Sequence, residues 1–194
     1  MIAVPDDFPS VFEGSEGHQR AKRLDEVRVF TERGADQEAE LIRRIGDATA
    51  AINIRAHARF SEGVFAACPK LKIVSVWGTG TDNIDLNAAG MRGITVCNTP
   101  GINAFAVAEH ALTLMLTTAR KVVTLDGEMR KGKWPREMLT QCLGKTLGVF
   151  GMGAIGGRLA TLAKGIGMYG LGWSALGVEA RIRKTGATPA SRYA

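Results

Sequence analysis

Short runs of β-branched and aliphatic residues alternate along the chain with longer stretches of mixed character. The runs are IAV (Ile2–Val4), VRVF (Val27–Phe30), AAINI (Ala50–Ile54), KIVSVW (Lys72–Trp77) and ITVCN (Ile94–Asn98). Their length and β-branched content suit buried strands. Between them, ADQEAELIRRIGDA sets Ala39, Ile42 and Ile45 on one helical face. SEGVFAAC opens on Ser61, a suitable helix N-cap. Alternation of this kind predicts an α/β fold with a parallel, helix-covered sheet.

The pattern changes after residue 100, where a domain boundary is expected. NAFAVAEHALTLMLTTAR (Asn103–Arg120) is apolar around most of its circumference, including Val107, Ala108, Leu112, Leu114 and Leu116. A helix of that kind is expected to be buried, between domains or against a partner subunit. DGEMRKGKWPREML, broken by Gly132 and Pro135, reads as a connecting helix and loop. KTLGVF, GMGAIG and GRLATLAKGIG then follow as strand, tight turn and helix. GMYGLGW is a weaker second strand, because Gly170 and Gly172 lower its β propensity. The tail ARIRKTGATPASRYA starts helix-like but shows no strand pattern. The second sheet is therefore expected to stop after two strands, with apolar surface left open. A poorly ordered C-terminus is expected with it.

The turn Gly151-Met152-Gly153-Ala154-Ile155-Gly156 has G-x-G-x-x-G spacing in a strand–turn–helix context. Gly151 turns the chain sharply out of the strand. Gly153 lets a pyrophosphate approach the backbone, and Gly156 lets the helix pack against the strand. Free amides near Ala154 and Ile155 then face the phosphates, with the helix dipole adding about half a positive charge. The alternative is a glycine-rich turn without a ligand. Where an acid would hold the adenosine ribose, at the end of the second strand, the chain has Ser174; the nearest acid is Glu179. A serine bonds a ribose hydroxyl weakly and does not repel a 2′-phosphate. NAD and NADP both remain open, with NAD taken first.

Charge modifies this picture little. The 194-residue chain carries a net charge of +6, concentrated after residue 157, where six basic residues face Glu179 alone. No aromatic interleaving or nucleic-acid motif accompanies that tail, so no nucleic-acid partner is read. No apolar run reaches the roughly eighteen residues of a membrane span. The N-terminus MIAVPDDFPS has acids where a signal peptide needs basic residues, so a cytoplasmic protein is expected. Cys68, Cys97 and Cys142 are widely spaced and read as reduced thiols, with no metal site.

The string KIVSVWGTGTDNIDLNAAGMRGITVCNTPGINAFAVAEHALTLML, followed by GKTLGVFGMGAIGGRLA, resembles the D-isomer-specific 2-hydroxyacid dehydrogenases. That family includes phosphoglycerate and formate dehydrogenases. The likeness runs from about Ala50 to Ala187 and keeps the family's motifs in order. It implies a flavodoxin-like substrate domain over residues 1–100, completed by a C-terminal segment. An incomplete Rossmann nucleotide domain, a doubly wound parallel sheet, would occupy residues 101–194. The loop Trp77-Gly78-Thr79 matches where relatives hold the substrate carboxylate through backbone amides, a geometry suited to anions. Arg55 matches a cleft-facing position, against the alternative of a surface arginine at a strand end. Asn103 matches a polar cleft residue, or is an N-cap. Val107 matches a residue near the nicotinamide, or is a core valine.

The activity that the resemblance implies is hydride transfer between a nicotinamide cofactor and a 2-hydroxy or 2-keto acid, and the family leads to an expected homodimer. The family's catalytic Arg, Glu and His would lie beyond residue 194, so no catalytic residue is assigned within the chain. His18 is expected to be solvated, His57 to lie on the surface, and His110 to be a satisfied structural histidine. The alternative function is a non-catalytic nucleotide-binding or dimerising remnant.

Overall fold

Strands β1 (Ile2–Val4), β2 (Val27–Val29), β3 (Ala50–Ile54), β4 (Ile73–Trp77) and β5 (Thr95–Cys97) form one sheet in the order β2-β1-β3-β4-β5. Every pairing in it is parallel. This is the flavodoxin-like order, whose topological switch lies between β1 and β3. The computed structural model that shows it describes residues 1–175 and 179–190. The chain divides into two units, Met1–Ile102 and Asn103–Ala194.

In the first unit, helices α1 (Glu16–Lys22), α2 (Glu38–Ile45), α3 (Glu62–Ala67) and α4 (Leu86–Met91) connect the strands. Three of them begin on a capping side chain. Ser15 accepts from the His18 amide, Ser61 from Val64 and Asp85 from Ala88. The period-two pattern of β4 buries Val74 and Val76 and leaves Ser75 and Trp77 exposed. The main core gathers Leu41, Ile45, Phe60, Phe65 and Val74, each worth roughly 1.5–3 kcal/mol when fully buried. Of the expected Ala39–Ile42–Ile45 face of α2, Ile45 is buried and Ile42 packs half-buried against the core, while Ala39 is exposed and Leu41 and Arg44 complete the buried side. Gln37 takes an extended conformation at the N-cap, so the helix starts later than the pattern suggested.

Arg44 is a buried cation that ties three chain segments together. It donates to the carbonyls of Pro5, Glu32 and Arg33 at 2.7, 2.7 and 3.0 Å. It also pairs with Glu40 at 2.6 Å. Arg43 and then Arg44 hold the Glu40 carboxyl down at about 2 by donating to it.

In the second unit, α5 (Ala104–Ala119) and α6 (Val122–Met129) precede β6 (Thr146–Phe150), α7 (Ala154–Gly165), β7 (Tyr169–Trp173), α8 (Glu179–Lys184) and β8 (Thr188–Pro189). The sheet order is β6-β7-β8, again all parallel. The expectation of only two strands is thereby corrected. β8 pairs Thr188 with Leu171 and Pro189 with Gly172, and the Ala190 amide donates to Gly172 at 2.8 Å. A two-residue strand has no periodicity to read, and a proline is tolerated because β8 is an edge. The glycines of β7 have a packing reason: a Cβ on Gly172 would lie 2.9 Å from Met152 Sδ, and one on Gly170 2.9 Å from Ala187 Cβ. The expectation of disorder at residues 191–194 lies outside the described residues.

Most of helix α5 is uncovered by its own unit. Only Ala104 and Ala108 are buried, while Phe105, Val107 and Leu114 are exposed. Its one packed stripe lies against α7, where the Arg158 guanidinium sits 3.2 Å from the Phe105 ring centroid. The core of this unit is small: Val149, Met152, Ala160, Ile182 and Ala187.

Replacing Arg44 by Met leaves three carbonyls without their donor. Chemical denaturation is expected to show a loss of about 3 kcal/mol. Glu40 has a folded pKa below its ordinary 4.5, so its stabilising effect is complete above that value. It is lost as pH falls toward about 2, and an acid titration of Glu40→Gln should lack this component.

Candidate functional site

The glycine turn is built from strand to helix in six residues. Gly151 leaves β6 with φ +94°, a left-handed backbone that favours glycine, and its amide donates to the Trp173 carbonyl at 2.8 Å. Gly153 is the N-cap of α7, and no side chain caps that end. Gly156 packs so tightly that an added Cβ would lie 2.0 Å from the Gly151 carbonyl oxygen. At Gly153 the opposite holds, and a Cβ would meet nothing within 4 Å. The turn is therefore closed on the strand side and open on the outer side. Among the described residues no acceptor takes the amides of Gly153, Ala154, Ile155 or Gly156. Those are the orphan donors of the first helical turn, and the helix dipole adds positive potential there. This cradle fits a diphosphate: open space over a bare backbone, with donors aimed outward. Ser174 follows β7 directly and is half-buried. The register Phe150↔Trp173 therefore sets Gly151 and Ser174 level past adjacent strand ends. Val107 is exposed on α5, and Asn103 sits at the start of that helix without capping it through its side chain.

The first unit presents a second backbone loop at the same edge of its own sheet. Trp77 ends β4, and the register Ile54↔Trp77 sets Arg55 and Gly78 side by side beyond the strands. The Gly78–Gly80 loop is stitched to residues 98–101. Asn98 Nδ2 donates to the Thr79 carbonyl at 2.7 Å, and the Thr99 amide donates to the Gly78 carbonyl at 2.8 Å. The Gly101 amide donates to Thr79 Oγ1 at 3.2 Å. With the carbonyls so engaged, the Gly78, Thr79 and Gly80 amides have no acceptor among the described residues. A short run of unpaired amides is an anion-binding feature. Arg55 and Ala56 both take positive φ, 62° and 56°, though neither is glycine. Such backbone costs on the order of 1 kcal/mol per residue and clusters at functional sites. The Arg55 guanidinium is exposed and donates to the Pro9 carbonyl at 3.1 Å.

Arg55, Trp77, Gly78 and Thr79 thus share the first unit. Asn103, Val107, Gly151, Gly153, Ala154, Ile155, Gly156 and Ser174 share the second. Two histidine expectations change. His18 is buried, accepts from the Gly14 amide at 3.0 Å and lies against Phe12. His110 is exposed, because α5 is exposed. His57 is at the surface.

One group escaped sequence reasoning. Asp7 is fully buried and accepts from the amides of Val11, Phe12 and Glu13 and from the Ser10 hydroxyl. Burial alone would raise its pKa, but the amide donors with Ser10 outweigh it and hold the carboxyl below its ordinary value. An acid followed by Pro9 and Ser10 is a turn-forming pattern that could have signalled it. Among the described residues there is no cluster of metal-ligating side chains, and no helix is long and apolar enough to cross a membrane. All three cysteines are free.

Comparison with known proteins adds a family. The profile of the D-isomer specific 2-hydroxyacid dehydrogenase catalytic domain matches residues 9–193. A D-3-phosphoglycerate dehydrogenase of Archaeoglobus fulgidus is 39% identical over 163 residues, covering 83% of this chain and 30% of that protein. A glyoxylate reductase of Korarchaeum cryptofilum is 39% identical over 149 residues, covering 74% and 45%. The solved phosphoglycerate oxidoreductase of Vibrio cholerae o395 superposes with a TM-score of 0.80 at 28% identity, over 98% of this chain and 61% of that one. The chain spans about a third to a half of the length of these curated relatives.

The geometry of the turn yields a stability test. Gly156→Ala drives a methyl group into the Gly151 carbonyl, and thermal unfolding should show a loss of about 3 kcal/mol.

Proposed function

We propose that this chain, which belongs to the D-isomer-specific 2-hydroxyacid dehydrogenase family, binds a nicotinamide dinucleotide through its second unit and a 2-keto or 2-hydroxy acid through its first, in the service of hydride transfer. The observation that carries this reading is the contrast between Gly156, where a side chain cannot fit, and Gly153, where only open space lies over unpaired amides. Packing alone explains the first glycine and gives no reason for the second. A diphosphate seated on the backbone explains it.

In this reading the amides of Gly153, Ala154, Ile155 and Gly156 hold the diphosphate, with Gly151 making the turn. Ser174 bonds the adenosine ribose, and Val107 packs near the nicotinamide. Because Ser174 is neutral, NADP is accommodated as well as NAD, and NAD is taken as the cofactor. The bound nicotinamide supplies or accepts the hydride. The amides of Gly78 and Thr79, beside Trp77, hold the substrate carboxylate. Arg55 adds positive charge at that edge, and Asn103 contributes a polar group. The reading extends to a cytoplasmic homodimer using the exposed apolar side of α5, without a nucleic-acid or membrane partner.

Titration with NADH and NADPH, followed by tryptophan fluorescence, tests the reading. Saturable quenching is expected, together with a rise in the melting temperature. Gly153→Val should weaken NADH at least about ten-fold with little change in the melting temperature of the free protein. Absence of quenching and of any thermal shift would sink the proposal. A second reading, a nucleotide-binding or dimerising chain that forms no product, draws on the exposure of α5. Steady loss of NADH absorbance with glyoxylate present would exclude it.

A further inference from the structure

Asp7 stands at the carboxyl end of β1, next to the topological switch of the first sheet, and is completely buried. Its two oxygens are spent on one short segment. Oδ1 accepts from the Val11 amide at 2.9 Å and the Phe12 amide at 3.0 Å. Oδ2 accepts from Phe12 again at 3.1 Å, from the Glu13 amide at 2.9 Å and from the Ser10 hydroxyl at 2.8 Å. A buried carboxylate is costly unless its acceptors are filled, and here the loop backbone fills them.

That same segment touches both side chains assigned to the substrate wall. The Phe12 ring stands edge-on to Trp77, with centroids 5.7 Å apart and planes at 81°. The Pro9 carbonyl takes the Arg55 guanidinium at 3.1 Å. Trp77 is otherwise 43% exposed, and Arg55 sits on strained backbone. Neither side chain has another polar or aromatic partner among the described residues.

We propose that Asp7 is a positioning residue: by organising residues 8–13 it holds Trp77 and Arg55 in the places from which they wall the 2-keto acid site. This rests on the reading of Trp77-Gly78-Thr79 as the carboxylate loop. Asp7→Asn is nearly isosteric, yet it replaces one acceptor by an NH2 group facing backbone N–H donors. The segment then loses its anchor while the sheet beneath keeps its packing.

The chain has three tryptophans, so Trp134→Phe with Trp173→Phe leaves Trp77 as the sole reporter. In that background Asp7→Asn should raise acrylamide quenching of Trp77 about two-fold and weaken glyoxylate at least about ten-fold. NADH binding, which uses the other unit, should stay within about two-fold, a split that general unfolding would not produce. Phe12→Leu, which keeps Asp7, should raise Trp77 quenching in the same direction and covers the case in which Asp7→Asn does not fold. Unchanged Trp77 quenching in the folded Asp7→Asn protein, or in Phe12→Leu where that is the variant measured, overturns the proposal. Failure of the unmutated protein to bind glyoxylate defeats the substrate reading instead, and the quenching result alone then decides the role of Asp7.

Discussion

Every strand pairing among the described residues is parallel, and that single direction organises both units. Parallel strands need a crossover between neighbours, so the chain leaves each strand at one edge and returns through a helix to the other. The carboxyl edge collects the turns that leave the strands. In the first unit these are the segments after Val4, Ile54 and Trp77; in the second they are those after Phe150 and Trp173. Unpaired amides accumulate there because no further strand residue is present to accept from them.

The two units leave backbone donors unpaired in different ways. The first engages its loop carbonyls through Asn98 and Thr99 and the Thr79 hydroxyl through the Gly101 amide, while the amides of residues 78–80 stay unpaired among the described residues. Its order depends on side-chain and backbone bonds from the segment after β5. The second depends on missing side chains. Gly156 allows α7 to approach Gly151, and Gly153 leaves the helix end bare. The first device is a network, and the second is a steric allowance backed by the helix dipole.

Two buried ionised groups flank the switch point of the first sheet, and both serve backbone. Arg44 fills carbonyls at Pro5, Glu32 and Arg33, and Asp7 fills amides from Val11 to Glu13. Pro5 and Asp7 are two residues apart, so one side of the β1 turn is fastened by a cation and the other by an anion. The arrangement keeps an irregular segment fixed beside Trp77 without asking the apolar core to do so.

Much of this was legible in the residues alone. Short β-branched and aliphatic runs located β1 to β6 and, more weakly, β7, and the spacing of Gly151, Gly153 and Gly156 identified the turn, because those signals are local and each reflects one backbone requirement. Other features needed the folded chain. β8 is two residues long and takes its identity from a neighbouring strand, not from a pattern of its own. The apolar composition of Asn103–Arg120 marks a helix suited to cover, but which stripe its own unit covers, chiefly the one facing α7, is set by tertiary packing. His18 lies in a polar stretch that reads as solvated, and Asp7 gave no signal of its own; both are buried because the turn after β1 folds back onto them. Hydrophobic pattern and glycine spacing are properties of neighbours in sequence, so sequence alone determined most of the strands and the glycine turn. Burial, edge strands and the partners of charged groups come from residues far apart in the chain, so only tertiary structure could decide them.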